Sequence, residues 1–228
     1  MTISNWQGID VSHHQGTINW NEVNKDFAII RAGYGVSGID TLFEKNYLGA
    51  KKAGIPVGAY WYTHATNATQ ALQEAKAFEK KLTGKQIDLP IFLDIEQQQS
   101  KANAGEIVEA FCSYMESRGY YVGVYASKSF FNVYLKNITA RYTGWVAQWA
   151  DKCTFTQPYL VWQKSDKGRV QGISGYVDLD EANSETMLNV ITTIHAKGLN
   201  GWEKPTEDVD THVLQLYLDG VEIFKKNV

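Results

Sequence analysis

The run Leu89-Pro90-Ile91-Phe92-Leu93-Asp94-Ile95-Glu96 ends in two carboxylates spaced for chemistry. Side chains alternate faces along a strand, so Asp94 and Glu96 project to one side and Leu93 and Ile95 to the other. The α-carbons of the two acids would lie about 6.6 Å apart. Two acids this close at the end of a buried strand are expected to titrate as a coupled pair. A protonated carboxyl beside an ionised one is what acid-catalysed cleavage of a glycosidic bond requires. An isolated Asp-x-Glu also arises where a strand merely runs into an acidic loop, so the surrounding elements must decide.

Short apolar, β-branched or aromatic runs alternate with amphipathic stretches, the pattern of repeated β-α units around a largely parallel sheet. Eight strands are predicted: Gly8–Ser12, Phe27–Ala32, Val57–Thr63, Pro90–Glu96, Tyr121–Ser127, Gly144–Trp149, Leu160–Gln163 and Tyr176–Leu179. Helices are expected after Asn19, with Glu22 completing a capping box, from Asp40 to Gly54, over Thr69–Leu82, and after Asn103 with Glu106. After Leu135 no clear helix separates the strands. The expected fold is therefore α/β: an irregular TIM-like barrel of eight strands, with fewer helices in its second half. Such barrels carry their chemistry at the C-terminal ends of the strands. Asp10, Asp94, Glu96 and Asp178 fall near such ends, with Tyr60 and Tyr62 near the end of the third strand.

The bulk composition fits this picture. The 228 residues, 44% hydrophobic and 21% charged with 4 prolines, suit one large soluble domain with a sizeable core. A net charge of −3 leaves no basic footprint for nucleic acid or an anionic membrane, and no run approaches membrane-spanning length. The 7 Trp and 13 Tyr residues supply flat rings with polar edges, suited to sugar faces as well as to cores. Cys112 and Cys153 have no metal-type spacing and are expected as buried free thiols. Adjacent His13 and His14 point apart in an extended chain, and no third ligand is suitably spaced, so neither a metal nor another cofactor is expected. Residues 1–7 lack the basic start and apolar centre of a signal peptide. The expectation is synthesis in a cytoplasm, with release to any extracellular target by another factor.

Past about Ser184 the character changes. Met187, Leu188, Ile191 and Ile194 are spaced along one side of a helix, and Gly198, Gly201 and Pro205 read as a linker. Two alternating runs over residues 213–224, joined by Asp219-Gly220, read as a hairpin. The expected division is a barrel over 1–183, a helix and linker over 184–205, and a hairpin segment over 206–228. A lone hairpin is marginal in water. It would dock on the barrel, pair with a second copy to make a homo-oligomer, or begin a truncated binding module.

Five motifs in order, Gly8-Ile9-Asp10-Val11-Ser12, Pro56-Val57-Gly58-Ala59-Tyr60, Phe92-Leu93-Asp94-Ile95-Glu96, Trp162-Gln163 and Gly175-Tyr176-Val177-Asp178, resemble family 25 glycoside hydrolases over roughly residues 5–182. These are the N-acetylmuramidases, or lysozymes, of many phage endolysins and bacterial autolysins. The resemblance implies an irregular eight-stranded barrel and cleavage of the β-1,4 bond between N-acetylmuramic acid and N-acetylglucosamine in cell-wall peptidoglycan. It makes Glu96 the general acid and Asp94 its neighbouring carboxylate, with Asp10 and Asp178 as further acids of the groove. Tyr60, Tyr62, Trp149 and Gln163 would line the substrate. Glu96 needs a raised pKa, expected from repulsion by the other acids and from burial, while Asp94 stays ionised. Carboxyls on alternate residues of one strand are expected to lie farther apart than the ~5–5.5 Å of a direct nucleophilic pair. Net retention assisted by the sugar's own acetamido oxygen is therefore favoured over direct attack by Asp94. With no signal peptide, a phage lysin passing through a holin-type pore is favoured over an exported autolysin. Two alternatives remain: a chitinase-like barrel, whose longer Asp-x-x-Asp-x-Asp-x-Glu motif is absent here, and a catalytically silent glycan-binding barrel.

Overall fold

A computed structural model of the chain describes residues 5–204, 213–218 and 221–227. The order is β1 (Trp6–Val11), β2 (Phe27–Tyr34), β3 (Gly38–Ile39), α1 (Phe43–Lys52), β4 (Val57–Tyr62), α2 (Ala68–Leu82), β5 (Ile91–Asp94), α3 (Ala104–Ser117) and β6 (Val122–Ser127). There follow α4 (Lys128–Tyr134), β7 (Thr143–Ala147), β8 (Val161–Gly168), β9 (Val177–Ala182), α5 (Ser184–Lys197), β10 (Val213–Leu218) and β11 (Val221–Asn227). The sheet order β1-β9-β8-β7-β6-β5-β4-β2, with β1 also pairing β2, closes an eight-stranded barrel, and β3 hangs on the edge of β2.

Seven of these strands run parallel, but β9 is antiparallel to both β8 and β1. A parallel connection needs a crossover of a dozen or more residues, whereas the short link between β8 and β9 permits only reversal. This corrects the expectation that every acid stands at the C-terminal end of a strand. Asp178 lies at the start of β9, and reversal carries that start to the end of the barrel where the other strands finish.

Local signals explain most helices. The Asn67 side chain accepts the Gln70 amide at the head of α2, whose Ala71, Ala75, Phe78 and Leu82 form the buried stripe. Asp40 Oδ1 accepts the Leu42 amide just before α1, and Gly54, at φ +73°, supplies the left-handed turn after it. Two expected caps do not form. Asn19 heads only the 3-10 turn Trp20–Glu22 without a side-chain bond, and Asn103 spends its amide on the Thr66 carbonyl at 2.7 Å. The capping box that does form pairs Ser12 with Gln15 after β1. Helix α4 was not expected; seven residues are too few for a clear periodic signature.

Two cores share the barrel wall. Outward residues such as Ile9, Ile30, Leu93 and Val124 join Phe78, Phe111, Met115 and Cys112 of the helices. The inner core holds Phe27, Ile29, Phe92, Trp145 and Val161. A Cβ on Gly8 would stand 2.3 Å from the Phe27 ring, so that inward position must stay empty for the ring to fill the barrel. Cys153, expected to be buried, is only half-buried.

Helix α5 seals the far end of the barrel. Its Met187, Val190, Ile191 and Ile194 belong to the inner core, and Asn200 beyond it bonds to Gly119, Ile87, Leu89 and Tyr121. The division expected at residue 183 therefore coincides with no break in packing, which continues through Trp202. Strands β10 and β11 pair antiparallel from Val213↔Asn227 to Leu218↔Val221, while Asp219 and Gly220 lie outside the described residues. Ile194→Ala is expected to cost about 2–5 kcal/mol in urea unfolding, as for a core residue, whereas a linker helix would lose less than about 0.5 kcal/mol.

Candidate active site

At the open end of the barrel a cleft of about 340 Å³ is lined by Asp10, His14, Arg31, Tyr60, Tyr62, Asp94, Glu96, Tyr125, Trp145, Gln163 and Asp178. Strand register explains the gathering. Asp10 on β1 opposes Asp178 on β9, and Asp94 on β5 stands level with Tyr62 on β4 and Tyr125 on β6. The strand carrying the acid pair ends at Asp94, so Glu96 lies just beyond it. Of the residues singled out in the sequence, only Trp149 is not part of the lining. It lies beyond β7, 60% exposed, and its indole N–H donates to Gln163 Oε1 at 3.1 Å, which puts it at the rim.

Gln163 organises the centre. Its Nε2 donates to Asp10 Oδ2 at 2.7 Å, and its Oε1 also accepts the Tyr125 hydroxyl at 3.0 Å. Trp145 packs against Tyr60, Phe92 and Tyr125, with the Tyr125 ring centroid 4.5 Å away, and its indole N–H donates to Asp180 Oδ1 at 2.8 Å. On the opposite wall Arg31 donates from Nε to Asp40 Oδ2 at 3.0 Å and from its terminal nitrogen to His13 Nδ1 at 2.8 Å. His13 therefore serves as a loop anchor. Burial works to raise the Asp40 carboxyl, but the bonds from His13, Arg31 and Leu42 outweigh it and hold the pKa below its ordinary value.

The acids of the cleft go the other way. Burial pushes Asp94 well above the carboxylate range, the charge of Glu96 adds to this, and Arg31 opposes it. Glu96 opens to the groove, and burial of its carboxyl raises its pKa while a hydrogen bond from Tyr62 lowers it. Two expectations change here. Burial, rather than repulsion by the neighbouring acids, lifts Glu96, and Asp94 is itself strongly raised instead of simply ionised. Asp94 Oδ1 is buried without a hydrogen-bond partner among the described residues. Burial raises Asp178 to about 6, with Asp166 adding to the shift. The cleft thus sets acids whose protonated forms burial favours beside polar groups and aromatic faces, an arrangement suited to acid catalysis on a sugar.

Residues 9–173 match the family model described as glycosyl hydrolases family 25. The chain belongs to this family. Among family 25 relatives, it is 32% identical to the autolytic lysozyme of Clostridium acetobutylicum over 201 residues, covering 86% of this chain and 61% of that protein. It is 34% identical to lysozyme M1 of Streptomyces globisporus, covering 78% of this chain and 67% of the other. The structure of a bacterial lysozyme from Streptomyces coelicolor superposes with a TM-score of 0.74 at 30% identity, covering 83% of this chain and 98% of that one. The chain thus spans less than two thirds of the length of its clostridial relative.

Arg31, Tyr125, Trp145 and Asp180 stand outside the site residues that the resemblance implies. Asp180 carried a readable signal, since Asp178 and Asp180 repeat the alternate-residue spacing of Asp94 and Glu96. Removing the Tyr62 hydroxyl deletes the bond that favours the ionised form of Glu96, so the Glu96 pKa should rise in Tyr62→Phe. Carboxyl carbon NMR titration checks this, and an unchanged or lower midpoint would contradict it.

Proposed function

We propose that the protein is an N-acetylmuramidase that cleaves the β-1,4 bond between N-acetylmuramic acid and N-acetylglucosamine in peptidoglycan, with Glu96 as general acid and Asp94 assisting. The observation that carries this reading is the single cleft in which a family 25 chain unites Asp94 and Glu96 with Asp10 and Asp178. The lysozyme names of the relatives support the substrate class.

In this scheme the Glu96 carboxyl, whose protonated form burial favours, gives its proton to the leaving glycosidic oxygen as the bond to the anomeric carbon breaks. Asp94 lines the cleft, and its Oδ1 is buried without a partner among the described residues. An acetamido N–H bonded to the Asp94 carboxylate from the cleft would stabilise the ionised form, as Arg31 already does, and leave the pair's remaining proton on Glu96. The ionised Asp94 then orients the acetamido group, whose carbonyl oxygen captures the anomeric carbon from the face opposite the leaving group. Water opens the resulting ring, and the configuration is retained. Asp10, Asp178, Gln163, Tyr60 and Tyr62 bind and orient the sugars, and Trp149 offers its exposed ring at the rim. The wall is reached after release from the cell of synthesis, in the manner of an endolysin, and the segment from 213 onward serves self-association or wall attachment.

Glu96→Gln should lower clearing of a purified cell-wall suspension by roughly 10²–10⁴-fold, with an unchanged circular dichroism spectrum. Substantial residual lysis would remove Glu96 from the acid role. Proton NMR of the first-formed anomer should show retention, and an inverted product would refute acetamido assistance. Activity on chitin with none on walls would favour a chitinase-like specificity.

A further inference from the structure

Beneath the cleft lies a carboxyl that the hydrolytic scheme does not use. Asp180 on β9 is fully buried, and its Oδ1 accepts the Trp145 N–H while its Oδ2 has no partner among the described donors. Strand register fixes its neighbours: Gly8 opposes it on β1 and Gln163 opposes it on β8. Gly8 has no side chain, and Asp10, two residues further along β1, shares the inner face, so the Asp180 carboxyl faces Asp10 diagonally across the β1–β9 pair while Asp178 stands directly opposite Asp10.

The donors around these two acids are few. Trp145 supplies one N–H to Asp180, and Gln163 supplies one to Asp10. The cations are engaged elsewhere: Arg31 holds Asp40 and His13, and Lys164 holds Gln7 and Glu181. The other titratable groups facing the pair are Asp178 on β9, Asp94 on β5, Tyr60 on β4 and Tyr125 on β6, none of which brings positive charge. Two neighbouring carboxylates buried together with so few donors resist ionising together near neutral pH.

We propose that Asp10 and Asp180 share one proton, and that Asp180 is a positioning residue whose O–H···O bond holds the Asp10 carboxyl in place for substrate. The coupled titration agrees, since burial lifts Asp180 to about 8 against the Trp145 hydrogen bond and lifts Asp10 well above its ordinary range. The shared proton is argued from strand register, burial and the two available donors, without reference to activity. The assignment of Asp10 to substrate positioning rests on the muramidase reading.

Carboxyl carbon NMR of aspartate-labelled protein tests the pair independently of any activity. In the wild type the Asp10 and Asp180 signals should respond together to a proton released above pH 7. In Asp180→Asn, whose amide can keep the Trp145 bond and donate to Asp10, the Asp10 midpoint should fall. Separate ionisation of both acids below pH 5 in the wild type would overturn the shared proton. In wall-lysis kinetics Asp180→Asn should stay near wild type. Asp180→Leu, with no donor, should lose about tenfold in kcat/KM, the fold-change of one lost hydrogen bond. Equal activity of the two variants would overturn the positioning role. If no form lyses walls while the titration behaves as described, the muramidase reading fails and the proton-sharing pair stands.

Discussion

The reversal of β9 is the constraint on which the site depends. Seven strands deliver their C-terminal ends to one rim, and a parallel eighth strand would deliver residues 181–182 there, leaving Asp178 at the opposite end. Because β9 runs backwards, Asp178 reaches the rim opposite Asp10, and Asp180 lies one layer below. The same reversal seats Gln163 and Trp145 against those acids through β8 and β7. One change of strand direction thereby assembles the acid ladder and the donors that make it tolerable.

That tolerance has a cost. Carboxyls in a barrel interior favour their neutral forms, and burial is the leading cause of the raised titrations of Asp10, Asp94 and Asp180. Folded-state values above the unfolded ones mean that these acids contribute most to stability at low pH, a contribution lost as pH rises through their folded titration ranges. The hydrophobic inner core of Phe27, Phe92 and Trp145, sealed by α5, offsets this charge-averse layer and holds the rim residues in register. Helix α5 therefore acts at a distance from the cleft, by closing the core on which the ladder stands.

Much of this was legible in the sequence for physical reasons. Short apolar, β-branched and aromatic runs located all eight barrel strands, and the strand-end rule gathered Asp10, Tyr60, Tyr62, Asp94, Glu96 and Asp178 into one cleft. Strand direction was not legible, because an apolar run reads the same both ways and only the short β8–β9 link carries the reversal. Arg31 and Tyr125 looked like ordinary strand residues; their roles come from the strands beside them. Asn19 and Asn103 had cap-like spacing but found no helical amide, one heading a single 3-10 turn and the other bonding a distant carbonyl. The raised pKa of Asp94 depends on burial that no local spacing reports.

The bond that is cut tests the central claim most directly. Purified peptidoglycan digested to completion, reduced with borohydride and hydrolysed to its component sugars reports which sugar carried the new reducing end. A four-acid cleft acting as a muramidase predicts reduced muramic acid, absent from the Glu96→Gln digest. Reduced glucosamine in its place, or no new reducing end from the wild-type protein, would contradict the account.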